Sequence, residues 1–149
     1  MTALIKNIAN NKKARHEFEL LDKFEAGLCL LGSEVKSLRQ GNGTIKEAWV
    51  RFENREAWLV GANFKPYEYA THVNHEPMRP RKLLLNKKEI KKLRAGTREK
   101  GLTIVPLTLF FKGPYVKLEI ALARGKNIHD KRQSLKQKQA KRDISDRRR

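Results

Sequence analysis

The chain of 149 residues carries 34 Lys and Arg residues against 16 Asp and Glu residues, a formal charge of +18 at pH 7. This length suits one ordinary domain with extensions, and the pI of about 10.3 points to a polyanionic partner. No apolar run approaches the roughly 20 residues of a transmembrane span, and no signal-peptide pattern is visible. These features argue against a membrane protein and favour a nucleic-acid-binding protein.

Cysteine usage adds an expectation about the cellular compartment. Cys29 is the only cysteine, so no disulfide can form within the chain and a cytoplasmic location is expected. The leucines at positions 28, 30 and 31 predict that the thiol is a small buried side chain in a strand.

The N-terminal part is predicted to hold an arm and two strands. Residues 1–15 mix apolar and basic side chains without sustained periodicity, which indicates a loose basic arm. Phe18 and Leu20 then alternate with charged residues, and residues 24–31 form a short apolar run interrupted by Gly27. Two neighbouring strands are therefore expected, with a bulge or a close approach at the glycine.

A helix of about two turns is predicted next. Ser33 can cap its N-terminus, and Glu34 suits the positive end of its dipole. Val35 and Leu38 share one face, and Gly41 supplies a stop signal.

The middle of the chain is predicted to form a hairpin followed by a loop. Two apolar segments, residues 47–53 and 56–63, flank a polar turn at Asn54 and Arg55. Residues 65–82 contain three prolines among aromatic, histidine and basic residues, which favours a long basic loop over regular structure.

A second helix and a final hairpin follow. Asn86 and Glu89 have the spacing of a capping box, Gly96 is tolerated inside the helix, and Gly101 marks its end. Two alternating apolar runs then flank a turn at residues 113–114. The eight side chains expected to face one core are Val105, Leu107, Leu109, Phe111, Val116, Leu118, Ile120 and Leu122.

The order of these elements predicts the fold class. Paired strands with short helices between them and no β-α-β alternation favour a mainly β protein. The specific expectation is a closed antiparallel oligonucleotide-binding (OB-like) barrel with two to three short peripheral helices, and an open α+β sheet is the alternative. The expected regions are a basic N-terminal arm (1–15), an OB-like RNA-binding barrel (16–124) and a basic C-terminal tail (125–149).

The tail has too few apolar side chains to form a core of its own. Residues 126–149 contain ten basic residues against three aspartates, a net charge of +7. The segment is therefore expected to be disordered when free and to form a basic helix on a polyanion.

Motifs for catalysis and metal binding are not evident. The chain shows no glycine-rich phosphate loop, no HExxH motif and no cysteine cluster. His72 and His75 alone are a weak metal signal. We therefore expect no enzymatic activity, no cofactor and no metal.

A succession of short motifs runs along nearly the whole chain. The motifs are Asn11-Lys-Lys-Ala-Arg-His-Glu17, Phe24-Glu-Ala-Gly27, Gly32-Ser-Glu-Val-Lys-Ser-Leu-Arg39, Gly61-Ala-Asn63, Thr71-His-Val73, Arg81-Lys-Leu-Leu-Leu-Asn86, Gly125-Lys126 and His129-Asp-Lys-Arg132. In this order they resemble the small protein B (SmpB) family of bacterial proteins that bind transfer-messenger RNA (SsrA RNA).

The resemblance implies a fold, a function and partners. The implied fold is a six-stranded OB barrel with peripheral helices. It would bind the tRNA-like domain of transfer-messenger RNA and accompany this RNA, with elongation factor Tu, into ribosomes stalled without a usable codon. A ribosomal protein or an initiation-factor-like barrel bound to ribosomal RNA is the alternative, and a nuclease is a more distant one.

The resemblance also implies RNA-binding residues. Asn11, Glu25, Leu84 and Asn86 match positions of the family's RNA-binding face, where Glu25 can accept hydrogen bonds from base or ribose donors. Structural alternatives remain open: an exposed strand carboxylate for Glu25, a core side chain for Leu84 and a helix cap for Asn86. The basic residues of the same motifs that are expected to contact RNA are Lys12, Arg15, Arg81 and Lys82.

In the tail, the resemblance implies contacts with small-subunit RNA of the decoding centre and the empty messenger channel. His129 matches a position that stacks on a base, Asp130 could cap a helix, and Lys131 and Arg132 could reach phosphates. The other residues expected to contact the ribosome are Lys126, Lys136, Lys138 and Ile144. The chain ends in Ser-Asp-Arg-Arg-Arg after Ile144, which leaves the distal part of this helix open.

Overall fold

The computed structural model describes residues 4–70 and 74–125, and the fold in these ranges is mainly β with three α-helices. None of these helices is long and apolar enough to cross a membrane. In chain order the elements are β1 (Ile5–Asn10), α1 (Lys12–Glu17), β2 (Phe18–Leu28), α2 (Gly32–Arg39), β3 (Gly43–Thr44), β4 (Trp49–Glu53), β5 (Glu56–Val60), β6 (Asn63–Phe64), β7 (Arg81–Leu84), α3 (Lys87–Glu99), β8 (Thr103–Lys112) and β9 (Tyr115–Gly125).

Seven of the strands form one antiparallel sheet in the order β1-β8-β9-β2-β7-β5-β4, and β3 pairs with β6 beside it. The edge strand β4 lies close to β8. Within the described ranges, however, no backbone ladder joins the edges β1 and β4. The predicted mainly β class is confirmed, whereas hydrogen-bonded closure of a barrel is not seen.

The prediction of a loose arm for residues 1–15 is wrong from residue 5 onward. Residues 5–10 form β1, which pairs with β8 from Ile5 opposite Lys112 to Asn10 opposite Thr108. Residues 12–17 form α1. The register of β1 is set by a partner about a hundred positions away, so local periodicity could not reveal the strand.

A single 11-residue strand, β2, replaces the two strands predicted between residues 18 and 31. Its bulge lies between Leu20 and Lys23 rather than at Gly27. Gly27 is instead a point of close approach, because a Cβ atom there would lie 3.3 Å from Cβ of Leu84. Cys29 follows the end of the strand and is exposed, so its predicted burial is wrong.

The final hairpin forms as predicted, but its apolar side chains do not all face one core. A register shift in β8 between Pro106 and Thr108 inserts an extra residue. Such a shift turns the preceding side chains to the opposite face. Val105 and Leu107 therefore pack with Ala14 beneath α1 in a second cluster, while the other six predicted side chains lie in the main core.

The hairpin predicted in the middle of the chain is confirmed by β4 and β5. Its turn residues Asn54 and Arg55 have φ of 53° and 64°, the left-handed geometry that two-residue hairpins require. The predicted long loop ends before residue 81, because residues 81–84 form β7. Residues 71–73 lie outside the described ranges.

Both predicted helices are present, with one difference in capping. Leu31, not Ser33, occupies the N-cap position of α2. In α3 the capping box is confirmed: Oδ1 of Asn86 accepts from N of Glu89 at 2.8 Å, and Oε1 of Glu89 accepts from N of Asn86 at 3.0 Å. Gly96 lies inside α3, where a Cβ atom would come within 2.7 Å of Leu122.

Candidate nucleic-acid interface

One face of the sheet points away from the main core and carries half of the sequence-predicted RNA-binding residues. Alternation along β9 buries Leu118 and Ile120 and leaves Lys117 and Glu119 on the opposite face. We call this surface the outer sheet face. It comprises Asn10, Arg15, Lys23, Glu25, Lys82, Leu84, Thr108, Phe110, Lys112, Lys117 and Glu119.

The register of the strands explains how these residues come together. Gly27 of β2 is opposite both Lys117 of β9 and Leu84 of β7, and Lys117 is opposite Phe110 of β8. In the next row Glu119 lies opposite Glu25 and Thr108. Side chains from four strands thus share one surface, with a groove of about 560 Å³ between α1, β1 and β2.

Arg15 connects α1 to this surface. Its Nη2 donates to Oγ1 of Thr108 at 2.9 Å and lies 3.4 Å from Oε1 of Glu119. Thr108 in turn donates to Oδ1 of Asn10 at 3.0 Å. About 38% of the Arg15 side chain remains exposed, so the guanidinium is both oriented by the protein and accessible. Lys12, in the first turn of the same helix, is exposed.

Glu25 is exposed at the centre of the outer sheet face. Its Oε2 lies 3.2 Å from Nζ of Lys112, and its cross-strand partner is another acid, Glu119. Like charges directly opposite each other on a sheet are destabilising, and here each carboxylate is offset by its own cation, Lys112 for Glu25 and Arg15 for Glu119. The two carboxylates supply hydrogen-bond acceptors on an otherwise cationic surface.

Leu84 and Asn86 lie where β7 leads into α3. Leu84 is 49% exposed, so the alternative of an ordinary core side chain is wrong. Asn86 is exposed and caps α3 at the same time, which makes the cap interpretation correct without removing the side chain from the surface. A recess of about 400 Å³ is lined by Leu84, Lys82 and Glu56, among others.

Lys82 is held by Glu56 beside this recess. Its Nζ lies 2.5 Å from Oε2 of Glu56, and the hydrogen bond to that carboxylate raises the pKa of Lys82 above its usual value. The ammonium group therefore stays charged, and about 38% of the Lys82 side chain is exposed.

Arg81 does not belong to the surface, and its predicted RNA contact is incompatible with its position. Its side chain has no solvent exposure. Nε donates to Oε2 of Glu34 at 2.7 Å, Nη1 donates to the carbonyls of Ala62 and Pro77 at 3.0 Å each, and the guanidinium stacks 4.1 Å from the ring centre of Phe64. Alternation along β7 explains the correction, because positions 81 and 83 face inward while 82 and 84 face outward.

Asn11 is also largely internal, with 5% exposure. Its Oδ1 accepts from N of Ala14 at 3.1 Å, and its Nδ2 donates to the carbonyl of Pro106 at 3.0 Å. Both ends of the amide are therefore engaged in the fold. Asn11 positions the start of α1, which carries Lys12 and Arg15, and its predicted role is indirect in this arrangement.

Sequence reasoning missed a buried ionic cluster around Glu34. The carboxylate of Glu34 accepts hydrogen bonds from Nε of Arg81, from the backbone amide of Leu31 at 2.7 Å and from Nη2 of Arg79 at 2.6 Å. Burial on its own raises the pKa of Glu34, but these hydrogen bonds outweigh it and hold the pKa below its usual value. Burial lowers the pKa of Arg81. Two buried charges of opposite sign in segments 47 positions apart leave no local pattern.

Of the two histidines considered as metal ligands, only His75 lies within the described residues. His75 is buried, with Nδ1 2.9 Å from Oγ of Ser33 and Nε2 2.7 Å from the carbonyl of Phe64. His72 lies outside the described residues. Within the described ranges, no three His, Cys, Asp or Glu side chains are grouped as metal ligands.

The tail predictions cannot be placed on this surface, because they lie outside the described residues. They concern Lys126, His129, Asp130, Lys131, Arg132, Lys136, Lys138 and Ile144.

The fold and the outer sheet face define a basic, mainly β protein with a cation-rich exposed sheet surface. The family model of the SmpB protein matches residues 8–149, and the chain belongs to the SmpB family. It is 51% identical over 139 residues to an SsrA-binding protein of Carboxydothermus hydrogenoformans, covering 93% of each chain. It is 54% identical over 136 residues to an SsrA-binding protein of Oleidesulfovibrio alaskensis, covering 91% of this chain and 88% of the relative.

A solved structure is similar as well. A chain from the work described as "tmRNA-SmpB: a journey to the center of the bacterial ribosome" matches with a TM-score of 0.62 and 39% identity, covering 85% of this chain and 86% of that one. The similarity therefore extends to the three-dimensional fold.

Proposed function

We propose that this protein is the RNA-binding adaptor of trans-translation. It binds the tRNA-like domain of transfer-messenger RNA and delivers this RNA to stalled ribosomes, so that the nascent peptide is tagged and the ribosome is rescued. The observation that carries the proposal is the family match over residues 8–149. The SsrA-binding relatives and the tmRNA–SmpB structure support it.

The outer sheet face is the proposed contact surface for the tRNA-like domain. Arg15 and Lys82 neutralise phosphates, and Glu25 accepts from base or ribose donors, which cations cannot do. Leu84 offers an apolar surface for a base or ribose. The other proposed contacts are Lys12 and Asn86. This surface binds and positions RNA, and the protein supplies no catalytic chemistry.

The tail, residues 126–149, is the proposed ribosome-contacting region. Its +7 charge suits an RNA-lined channel. There His129 stacks on a base of the decoding centre, while Lys131 and Arg132 reach phosphates. The outer sheet face thus serves binding of the tRNA-like domain, and the tail serves the later contact with the ribosome.

Several finer expectations belong to the same proposal. The seven-stranded sheet is proposed to act as a closed OB-like barrel, and the proximity of β4 to β8 supports this part of the proposal. The protein works in the cytoplasm, where ribosomes are found. Elongation factor Tu joins the complex through the RNA.

The proposal is tested by recovering RNA with the tagged full-length protein and sequencing it. We expect one abundant RNA with a tRNA-like domain that accepts alanine. Recovery of ribosomal RNA alone, from lysates in which ribosomes have been dissociated, would contradict the proposal and favour a ribosomal protein. A tagged variant with Arg15→Glu and Lys82→Glu, purified in the same way, should no longer recover the tRNA-like RNA.

A further inference from the structure

The solvent-facing side of α3 carries a cluster of lysines that the contacts proposed above do not use. Lys87, Lys88, Lys91 and Lys92 are all exposed, and we call these four residues the α3 lysine ridge. The helix buries Leu93 and Gly96 on its other side. At 100° per residue the four lysines span an arc of about 140°, and the centre of this arc lies opposite the buried Leu93.

The ridge is electrostatically unfavourable for the isolated helix. Lys87 and Lys91 are four residues apart, as are Lys88 and Lys92, and like charges at this spacing destabilise a helix. Lys87 and Lys88 also lie in the first turn, at the positive end of the helix dipole, where cations are disfavoured. Among the residues that the structure describes, no carboxylate forms an ion pair with any of the four.

Such a local conflict is expected where a surface serves binding rather than stability. A polyanion relieves the repulsion, because it neutralises the lysines that disfavour one another in the free protein. The ridge continues directly from the outer sheet face, since Leu84 ends β7 and Asn86 caps the helix whose first two residues are Lys87 and Lys88. A polyanion bound at Leu84 and Asn86 therefore lies next to the ridge.

We propose that the α3 lysine ridge binds the phosphate backbone of the same tRNA-like domain that lies on the outer sheet face. This inference rests on the proposed function and extends its contact surface by one helix. The ridge contributes charge rather than sequence recognition, because lysines act on phosphates as flexible point charges. Its removal should therefore change the salt dependence of binding as well as the affinity.

The experiment compares full-length proteins in binding to a transcript of the tRNA-like domain at several salt concentrations. The ridge variant replaces Lys87, Lys88, Lys91 and Lys92 by Gln. We expect its affinity to fall about tenfold or more at physiological salt. The slope of log affinity against log salt should decrease by about 2 to 4, since each of two to four neutralised phosphates contributes about 0.9. Its melting temperature should rise, because the repulsion is gone.

A matched control removes the same charge from another surface. Lys36, Arg39, Lys46 and Lys65 are exposed on α2 and around the β3–β6 pair, and changing these four to Gln should alter affinity less than about threefold. Replacing the four ridge lysines by Arg should preserve binding. Equal losses in the ridge and control variants would overturn the inference, because net charge would then explain both. Unchanged binding by the ridge variant would also overturn the inference. A melting temperature low enough to explain the loss of RNA binding by unfolding would do the same.

The wild-type protein separates this inference from the proposed function. If it binds the tRNA-like transcript and the ridge variant binds equally well, only the inference fails. If the wild-type protein does not bind that transcript in preference to an unrelated RNA of equal length, the proposed function fails and the inference fails with it.

Discussion

Glu34 of α2 and Arg81 of β7 form an ion pair in which neither side chain has any solvent exposure, with Nε of Arg81 2.7 Å from Oε2 of Glu34. The pair links a helix to a strand on the other side of the long loop. Arg81 also donates to the carbonyl of Ala62, between β5 and β6, and to the carbonyl of Pro77 in the long loop. The bridge therefore supports the strand that carries Lys82 and Leu84 on the outer sheet face.

Arg81→Ala should destabilise the protein rather than remove an RNA contact. Removing one partner of a buried pair leaves the other charge uncompensated, which costs about 3–5 kcal/mol. Urea unfolding would measure this loss. Arg79→Ala is the milder control, because the Arg79 side chain is 32% exposed. If folded Arg81→Ala kept its stability and lost RNA affinity, the direct contact expected from sequence would be right after all.

Stability should fall in acid partly through Glu34. Its pKa in the folded protein lies below the ordinary value of 4.5, so the unfolded chain binds a proton first as the pH drops. The contribution of Glu34 is complete above about pH 4.5 and is lost as the pH falls through the folded-state pKa, with a slope of up to about 1.4 kcal/mol per pH unit. The free energy of unfolding, followed by urea titration at each pH, gives this slope. Glu34→Gln should show a shallower acid dependence, and identical slopes in both proteins would refute the assignment.

Glu25→Lys should weaken binding to the tRNA-like RNA although it adds positive charge. The variant loses an acceptor for RNA donors, and hydrogen bonds to charged groups contribute about 1.5–3 kcal/mol, or roughly ten- to hundredfold in affinity. Stability should change by less than about 1 kcal/mol, because the ion pair with Lys112 is exposed. Filter binding of the labelled RNA measures the effect.

Glu19→Lys is the matched control for that experiment. Glu19 lies on the same strand, β2, and forms a similar exposed ion pair, 3.1 Å from Arg124. The control variant should bind the RNA as well as the wild type or slightly better. If both variants gained affinity, Glu25 would be an ordinary exposed strand carboxylate.

Deletion of residues 126–149 should preserve the fold and binding of the tRNA-like RNA. Within the part of the chain that the structure describes, the buried side chains of both apolar clusters precede residue 124, so the deletion leaves these side chains in place. Tagging of stalled products should nevertheless fail, because the tail is proposed to bind inside the messenger channel. Thermal melting, RNA affinity and peptide transfer on a stalled ribosome are the three measurements.

A finer variant keeps the chain at full length and changes His129, Lys131 and Arg132 to Ala. Peptide transfer should fall while affinity for the tRNA-like RNA stays close to that of the wild type. Full tagging by the deletion protein would disprove the division of labour. Loss of RNA binding as severe as that of the Arg15→Glu, Lys82→Glu variant would disprove it as well.

Local features of the sequence predicted the elements whose hydrogen bonds and packing are themselves local. The capping box of Asn86 and Glu89 joins residues three positions apart, and the turn at Asn54 and Arg55 needs only its own backbone angles. The final hairpin follows from alternation around a tight turn. Ordered motifs along the chain also identified the family, and the family match and the SsrA-binding relatives agree with the RNA partner inferred from them.

The tertiary structure decided which predicted residues reach the surface. Arg81 was assigned to RNA from its charge, yet the register of β7 turns it inward to Glu34, while Lys82 and Leu84 face outward. The extra residue in β8 moved Val105 and Leu107 to a second cluster, and pairing with β8 turned the supposed arm into β1. These outcomes depend on pairing between segments far apart in the chain. A shift of one residue reverses the face of every side chain in a strand. Local patterns in the sequence therefore determined the mainly β class and the family, whereas only the pairing of distant strands determined which side chains lie on the outer sheet face.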